Sequence, residues 1–166
     1  MNIHIRIPQS VFMEAWDNLT SRHPFAFERV GFLSSSLSAL DENNYLVLLK
    51  KFHPVPDPHY LEDESVGASI SGEAIRAAME CGLRNKVGQI HAHIHDHFGQ
   101  PTPSVIDAEG LPPLTKALAT IVPSQASGFL IFSRDRACAE VQIPGQKGSI
   151  EATAITIVGF PIRRLK

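Results

Sequence analysis

The stretch GQIHAHIHDHFGQPTPSVID, Gly88 to Asp107, decides how the rest of the chain is read. It carries four of the eight histidines, His91, His93, His95 and His97, at every second residue. Side chains alternate between the two faces of a β-strand. Gly88, Ile90, Ala92 and Ile94 therefore form one face, and His91, His93 and His95 the other. The apolar set belongs in a core, so the imidazoles face a cleft or solvent. His-x-His on a strand brings two ring nitrogens to one side, close enough to share an ion. Zinc accepts neutral imidazole nitrogen, and a catalytic zinc needs three protein ligands plus water.

Outward from this strand, the chain alternates sheet and helix patterns. Ile3, Ile5 and Ile7 share one face of an N-terminal strand. Val11, Phe12, Ala15, Trp16 and Leu19 make an apolar stripe at helical spacing, predicting a helix over 9–21. Strands are expected over 30–35 and 44–52, then a stiff Pro-rich loop from His53 to Glu62. Ser71 is a candidate N-cap for a helix over 72–82. After the His strand (86–94), Ser104 starts a short helix that Gly110 and Pro112-Pro113 interrupt. Strands are expected near 119–122, 128–132, 138–143 and 152–160. The sum is an α/β protein, with one mixed β-sheet and flanking helices.

The bulk numbers bound the function. The chain has 166 residues, 43% apolar and 19% charged, which suits one domain over 1–166. Net charge is −2 with Lys and Arg scattered, so no nucleic-acid face or anionic-membrane patch is indicated. No apolar run is long enough to span a bilayer. MNIHIRIPQS lacks the pattern of a secretory signal. Cys81 and Cys138 are far apart, with no C-x-x-C, and read as reduced thiols of a cytoplasmic protein.

A third ligand should be a carboxylate or imidazole near the His strand. Asp107, one helical turn after Ser104, is the candidate. Ser-x-x-Asp is also close to a capping box, which needs no metal. A zinc hydrolase further needs a general base. Glu28, in PFAFERVGFLSS, stands at the mouth of a strand among mostly apolar residues.

Together these elements resemble the JAMM (JAB/MPN) metallopeptidases. That family has an early Glu-x-x-Gly, then Gly-x-x-His-x-His, then Pro-Ser-x-x-Asp. This chain reads Glu28-Arg-Val-Gly31, Gly88-Gln-Ile-His91-Ala-His93 and Pro103-Ser104-Val-Ile-Asp107. The resemblance runs to about Ile143. It implies the JAB/MPN fold, of cytidine-deaminase-like architecture. It implies one Zn2+ per chain, held by His91, His93 and Asp107 with a bound water. Glu28 would be base and then acid, and Ser104 would steady the developing oxyanion. His95 and His97 would be loop residues. Ten residues separate His93 from Ser104, where the family usually has seven. Pairing His93 with His95 leaves eight, so that register stays open.

The implied substrate is a ubiquitin-like or sulfur-carrier protein with an extended C-terminal tail. Conjugate removal and precursor processing use the same chemistry. The Pro-rich loop is the expected wall of the tail groove. The alternative is a non-catalytic MPN-type protein-binding scaffold. A nucleobase deaminase is disfavoured, because His-x-Glu with Pro-Cys-x-x-Cys is absent.

Overall fold

A computed structural model describes residues 1–166. In chain order the elements are β1 Asn2–Pro8, α1 Gln9–Leu19, β2 Val30–Ala39, β3 Asn44–Pro54, a 3-10 turn Asp57–His59, β4 Tyr60–Leu61, β5 Ser69–Ile70, α2 Gly72–Asn85, β6 Gly88–Ile94, α3 Val105–Ile121, β7 Ser127–Phe132, β8 Ala137–Gln142, β9 Ile150–Glu151, β10 Ala154–Val158 and β11 Arg163–Arg164. Nine strands form one mixed sheet in the order β11-β10-β1-β3-β2-β6-β7-β8-β9, and β4 pairs with β5 separately. β1 runs parallel to β3 and β10, and β6 parallel to β7; the other pairs are antiparallel. No helix is long and apolar enough to cross a membrane.

The sheet curls. Ala137 N donates to Leu165 O, and Ala152 N to Ala139 O, so its two ends approach. One core of 25 buried residues joins both ends to α1, through Val11, Phe12, Ala15 and Leu19. The opposite face carries α2 and α3. Val30, Phe32, Ala74, Ala78 and Leu118 pack there, beside Leu111, Phe129 and Ile131. Ser71 caps α2 as its sequence predicts, accepting from Ala74 N. Both cysteines are free.

The expected short helix after Ser104 and the expected strand at 119–122 are both corrected. α3 runs unbroken from Val105 to Ile121 with Pro112 and Pro113 inside it, and 119–121 is its last turn. Each proline removes an intrahelical donor and costs about 3 kcal/mol. Packing outweighs that. Leu111, Thr115 and Leu118 are buried at a spacing of four and three, the period of a helix lying on a sheet.

β6 is buried along its whole length. It lies between β2 and β7, with α2 and α3 against one face and the main core, through Ile90, Ala92 and Ile94, on the other. Its first residue shows how tightly it is held. A Cβ at Gly88 would stand 1.8 Å from Ala126 O and 2.5 Å from Ser35 Oγ. Packing alone therefore requires glycine there, whichever histidines follow.

A candidate metal centre

The register of β6 sets the surroundings of the histidines. His91 pairs with Phe32 on one side and Phe129 on the other; His93 pairs with Val30 and Ile131. Both imidazoles thus stand in apolar rows, 7% and 2% exposed. His95 lies one residue past β6, but its N–H donates to Phe132 O at 2.8 Å. That bond extends the ladder and keeps the alternation, so His95 joins the same row. Ring centroids step along it at 5.5 Å from His91 to His93 and 5.0 Å from His93 to His95. His97 lies beyond the row on the surface, its Nδ1 2.9 Å from Phe98 O.

The start of α3 delivers Asp107. Ser104 and Asp107 form a reciprocal capping box: Asp107 N donates to Ser104 Oγ, and Asp107 Oδ2 accepts from Ser104 N at 2.8 Å. The carboxylate then bridges two imidazoles. Oδ1 is 3.3 Å from His93 Nε2, and Oδ2 is 3.2 Å from His95 Nε2. The two Nε2 atoms are 3.2 Å apart. No ion pair within 4.0 Å joins His91 to Asp107. The structure therefore brings together His93, His95 and Asp107, and sets His91 one step deeper. The capping box fixes the carboxylate so that it faces the histidines.

Glu28 completes the cluster. Its carboxylate and the ring nitrogens of His93 and His95 include atoms all within 4.8 Å of one another. These side chains, with His91 and Ser104, line a cavity of about 420 Å³, a size suited to a small ligand or a chain segment.

Electrostatics follow from burial and pairing. Burial, then the neighbouring His93, pushes the His91 pKa down to about 3, so this ring is neutral. His95 is raised by its hydrogen bond to Asp107. Burial alone would raise the Asp107 carboxyl, but bonds from His93, His95 and the Ser104 backbone hold it well below the usual carboxylate range. The Ser104 hydroxyl donates to Asp107 Oδ2 at 2.8 Å, so its proton is committed to the carboxylate rather than aimed into the cavity.

The outer wall corrects one expectation. The cavity is lined by Gly67, Ala68, Ser69 and Ile70, not by the Pro-rich stretch from His53 to Glu62. Tyr60 ties this flap to β2, its hydroxyl accepting from Val30 N at 2.8 Å. Gly67 is the residue that sequence reading missed. Its carbonyl accepts from Glu28 N at 2.9 Å, and a Cβ on it would stand 2.6 Å from Glu28 Oε2. A lone glycine within Ser-Val-Gly-Ala-Ser carries no motif, so only the fold reveals it.

Gly67→Ala is therefore expected to push the Glu28 carboxylate aside, because a flexible side-chain end yields more easily than backbone. Its denaturation midpoint should stay near wild type, a change under about 1 kcal/mol. Any activity that depends on Glu28 should fall. Equal activity with unchanged stability would show that the Gly67 contact does not position Glu28.

The donor set fits zinc. Zinc bonds to nitrogen and carboxylate oxygen run about 2.0–2.2 Å, so neighbouring donors around a tetrahedral ion stand roughly 3.3–3.5 Å apart. The 3.2 Å between the Nε2 atoms of His93 and His95 is close to that edge. Asp107 offers a different oxygen to each ring, at 3.3 and 3.2 Å, and Glu28 brings a carboxylate within 4.8 Å of both. In the tautomer that frees Nε2 for an ion, Nδ1 carries the proton. Nδ1 of His93 is buried without a protein partner.

Compared with protein-family models and with curated proteins, the chain matches none.

Proposed function

We propose that the chain has the JAB/MPN fold and is a zinc-dependent peptidase or isopeptidase. Its substrate class is the amide bond that follows the extended C-terminal tail of a ubiquitin-like or sulfur-carrier protein. The observation that carries this reading is the convergence of His93, His95 and Glu28 within 4.8 Å of one another, with Asp107 bridging the two imidazoles in the same cavity. In this reading the pair is His93 and His95, and eight residues separate His95 from Ser104.

When bound, the ion would supply Lewis acidity, polarising the scissile carbonyl and acidifying water. The residues of the chain do the rest. Glu28 takes a proton as water oxygen adds to the carbonyl carbon. It returns that proton to the nitrogen as the C–N bond breaks, giving a carboxylate and an amine. Ser104 holds Asp107 through the capping box. To act as an oxyanion donor, the Ser104 hydroxyl would turn from Asp107 Oδ2 to the carbonyl oxygen. His91 stays neutral and closes the floor, while Phe32 and Phe129 keep water from beneath it.

The test is cleavage of a ubiquitin-like protein joined to lysine through its tail, comparing wild type with Glu28→Gln, both loaded with zinc. The amide keeps the shape of Glu28 but accepts no proton. Cleavage is expected to fall about 10²–10⁴-fold with zinc content unchanged. Equal cleavage by the variant would remove Glu28 from the chemistry.

A further inference from the structure

A second depression opens beyond Glu28, on the side away from the flap. It holds about 580 Å³, between Leu19, Phe27, Ile94 and Phe98. Glu28 lines both this depression and the metal-site cavity. A third depression of about 600 Å³ is floored by Phe12, Trp16 and Phe132, with Met13 at its side. Trp16 and Arg134 line both the second and the third. The three form one path from the cavity, past Glu28 and around Trp16.

The floor of this path is aromatic and its rim is cationic. Phe27 and Phe98 are 75% and 71% exposed, a large apolar area to leave in water. Phe12 and Trp16 stack at 5.5 Å, with Phe132 edge-on to both. Arg22, Arg134, Arg163 and Arg164 stand around them. Only Arg134 has an acidic partner, a two-point bond to Asp96. The other aspartate on the path, Asp135, accepts from Gly99 N and is 3.5 Å from Ser133 Oγ. Arg22 and Arg163 form no ion pair, Arg163 lies 5.1 Å over the Phe12 ring, and Arg164 Nε donates to Lys166 O. Four arginines against Asp96, Asp135 and Glu28 leave a local excess of one positive charge in a chain of net charge −2, with Arg22 and Arg163 the guanidinium groups that lack an ion pair or hydrogen bond.

We propose that this path is a docking groove for an extended segment of a partner protein, in which acidic and apolar residues alternate. An extended chain presents successive side chains to opposite sides. Alternate apolar groups would enter the aromatic floor, and the acidic ones between them would meet the arginine rim. Unpaired arginines give such a contact both steering and carboxylate recognition. The proposed function enters here only by giving the segment a destination, since the groove ends at Glu28.

Binding is measured by fluorescence anisotropy with a labelled octapeptide of alternating Glu and Leu, against a matched Lys–Leu octapeptide. The protein is the full chain carrying Glu28→Gln, so that no cleavage intervenes, with and without zinc. The Glu–Leu peptide should bind, weaken as salt rises, and lose about tenfold or more in affinity with Arg163→Glu/Arg164→Glu. Both arginines are exposed, so that variant should fold. Phe27→Ser tests the apolar half independently and should also weaken binding. Equal binding of the two peptides, or affinity unmoved by either variant, overturns the groove. The Glu–Leu peptide binding to a protein that takes up no zinc would uphold the groove and discard the peptidase.

Discussion

With its metal chelated, the protein is expected to lose about 4 kcal/mol of stability between pH 6.5 and pH 3 through His91 alone. An unfolded histidine takes a proton near pH 6.5. In the fold, burial between Phe32 and Phe129, with His93 beside it, lowers that value to about 3. Below pH 6.5 the unfolded chain therefore binds a proton that the folded chain refuses. Stability falls as pH falls, by about 1.4 kcal/mol per pH unit, reaching about 3 kcal/mol by pH 4.5. Asp107 adds to the loss below about pH 4, because its folded carboxyl sits below the unfolded value. His95 works in the opposite direction. Its folded pKa is raised, so its pairing with Asp107 stabilises below pH 6.5 and is lost as pH rises through the folded value. Urea denaturation of the metal-free protein at pH 7 and pH 4.5 measures the difference. His91→Leu, which cannot titrate, should remove the His91 share and leave the slope due to His23 and His53, which burial also lowers. An identical pH slope in that variant would mean that His91 is not the buried neutral group.

Zinc should stabilise the wild type strongly and three variants hardly at all. A ligand that binds only the folded state adds about 4 kcal/mol at a thousand times its dissociation constant. Zinc sites built from several protein ligands reach about 10–16 kcal/mol, so one ligand among a few is worth roughly 10²–10³-fold in affinity. His93→Ala, His95→Ala and Asp107→Ala should each show that loss. Asp107→Ala also removes half of the capping box, so its metal-free stability should drop by about 1 kcal/mol as well. Denaturation midpoints with and without zinc separate the two effects. A zinc-induced shift as large in His95→Ala as in the wild type would exclude that ring from the centre.

Much of the fold is legible in the sequence. Period-two alternation located β1 and β6, the strands expected at 128–132 and 138–143 correspond to β7 and β8, and the stripe from Val11 to Leu19 located α1. The Ser-x-x-Asp spacing announced the cap that positions Asp107. Local rules failed where packing decides. Pro112 and Pro113 read as a break, yet burial of Leu111 and Leu118 carries α3 through them. Two-residue strands such as β4 and β5 have no period to detect, so the flap carrying Gly67 was invisible. The register of the histidines was the hardest point. His91, His93 and His95 share one face and are equivalent as sequence. Only the angle at which α3 leaves Ser104 decides which two lie beside Asp107, and that angle depends on contacts distant in the chain.

Elemental analysis of the purified wild type, His91→Leu and His95→Ala, each supplied with zinc and then dialysed, tests the centre most directly. About one zinc per chain in the wild type and His91→Leu, with little in His95→Ala, is the expected result. Zinc retained by His95→Ala and lost from His91→Leu would move the centre to His91 and His93, and no zinc in the wild type would contradict it altogether.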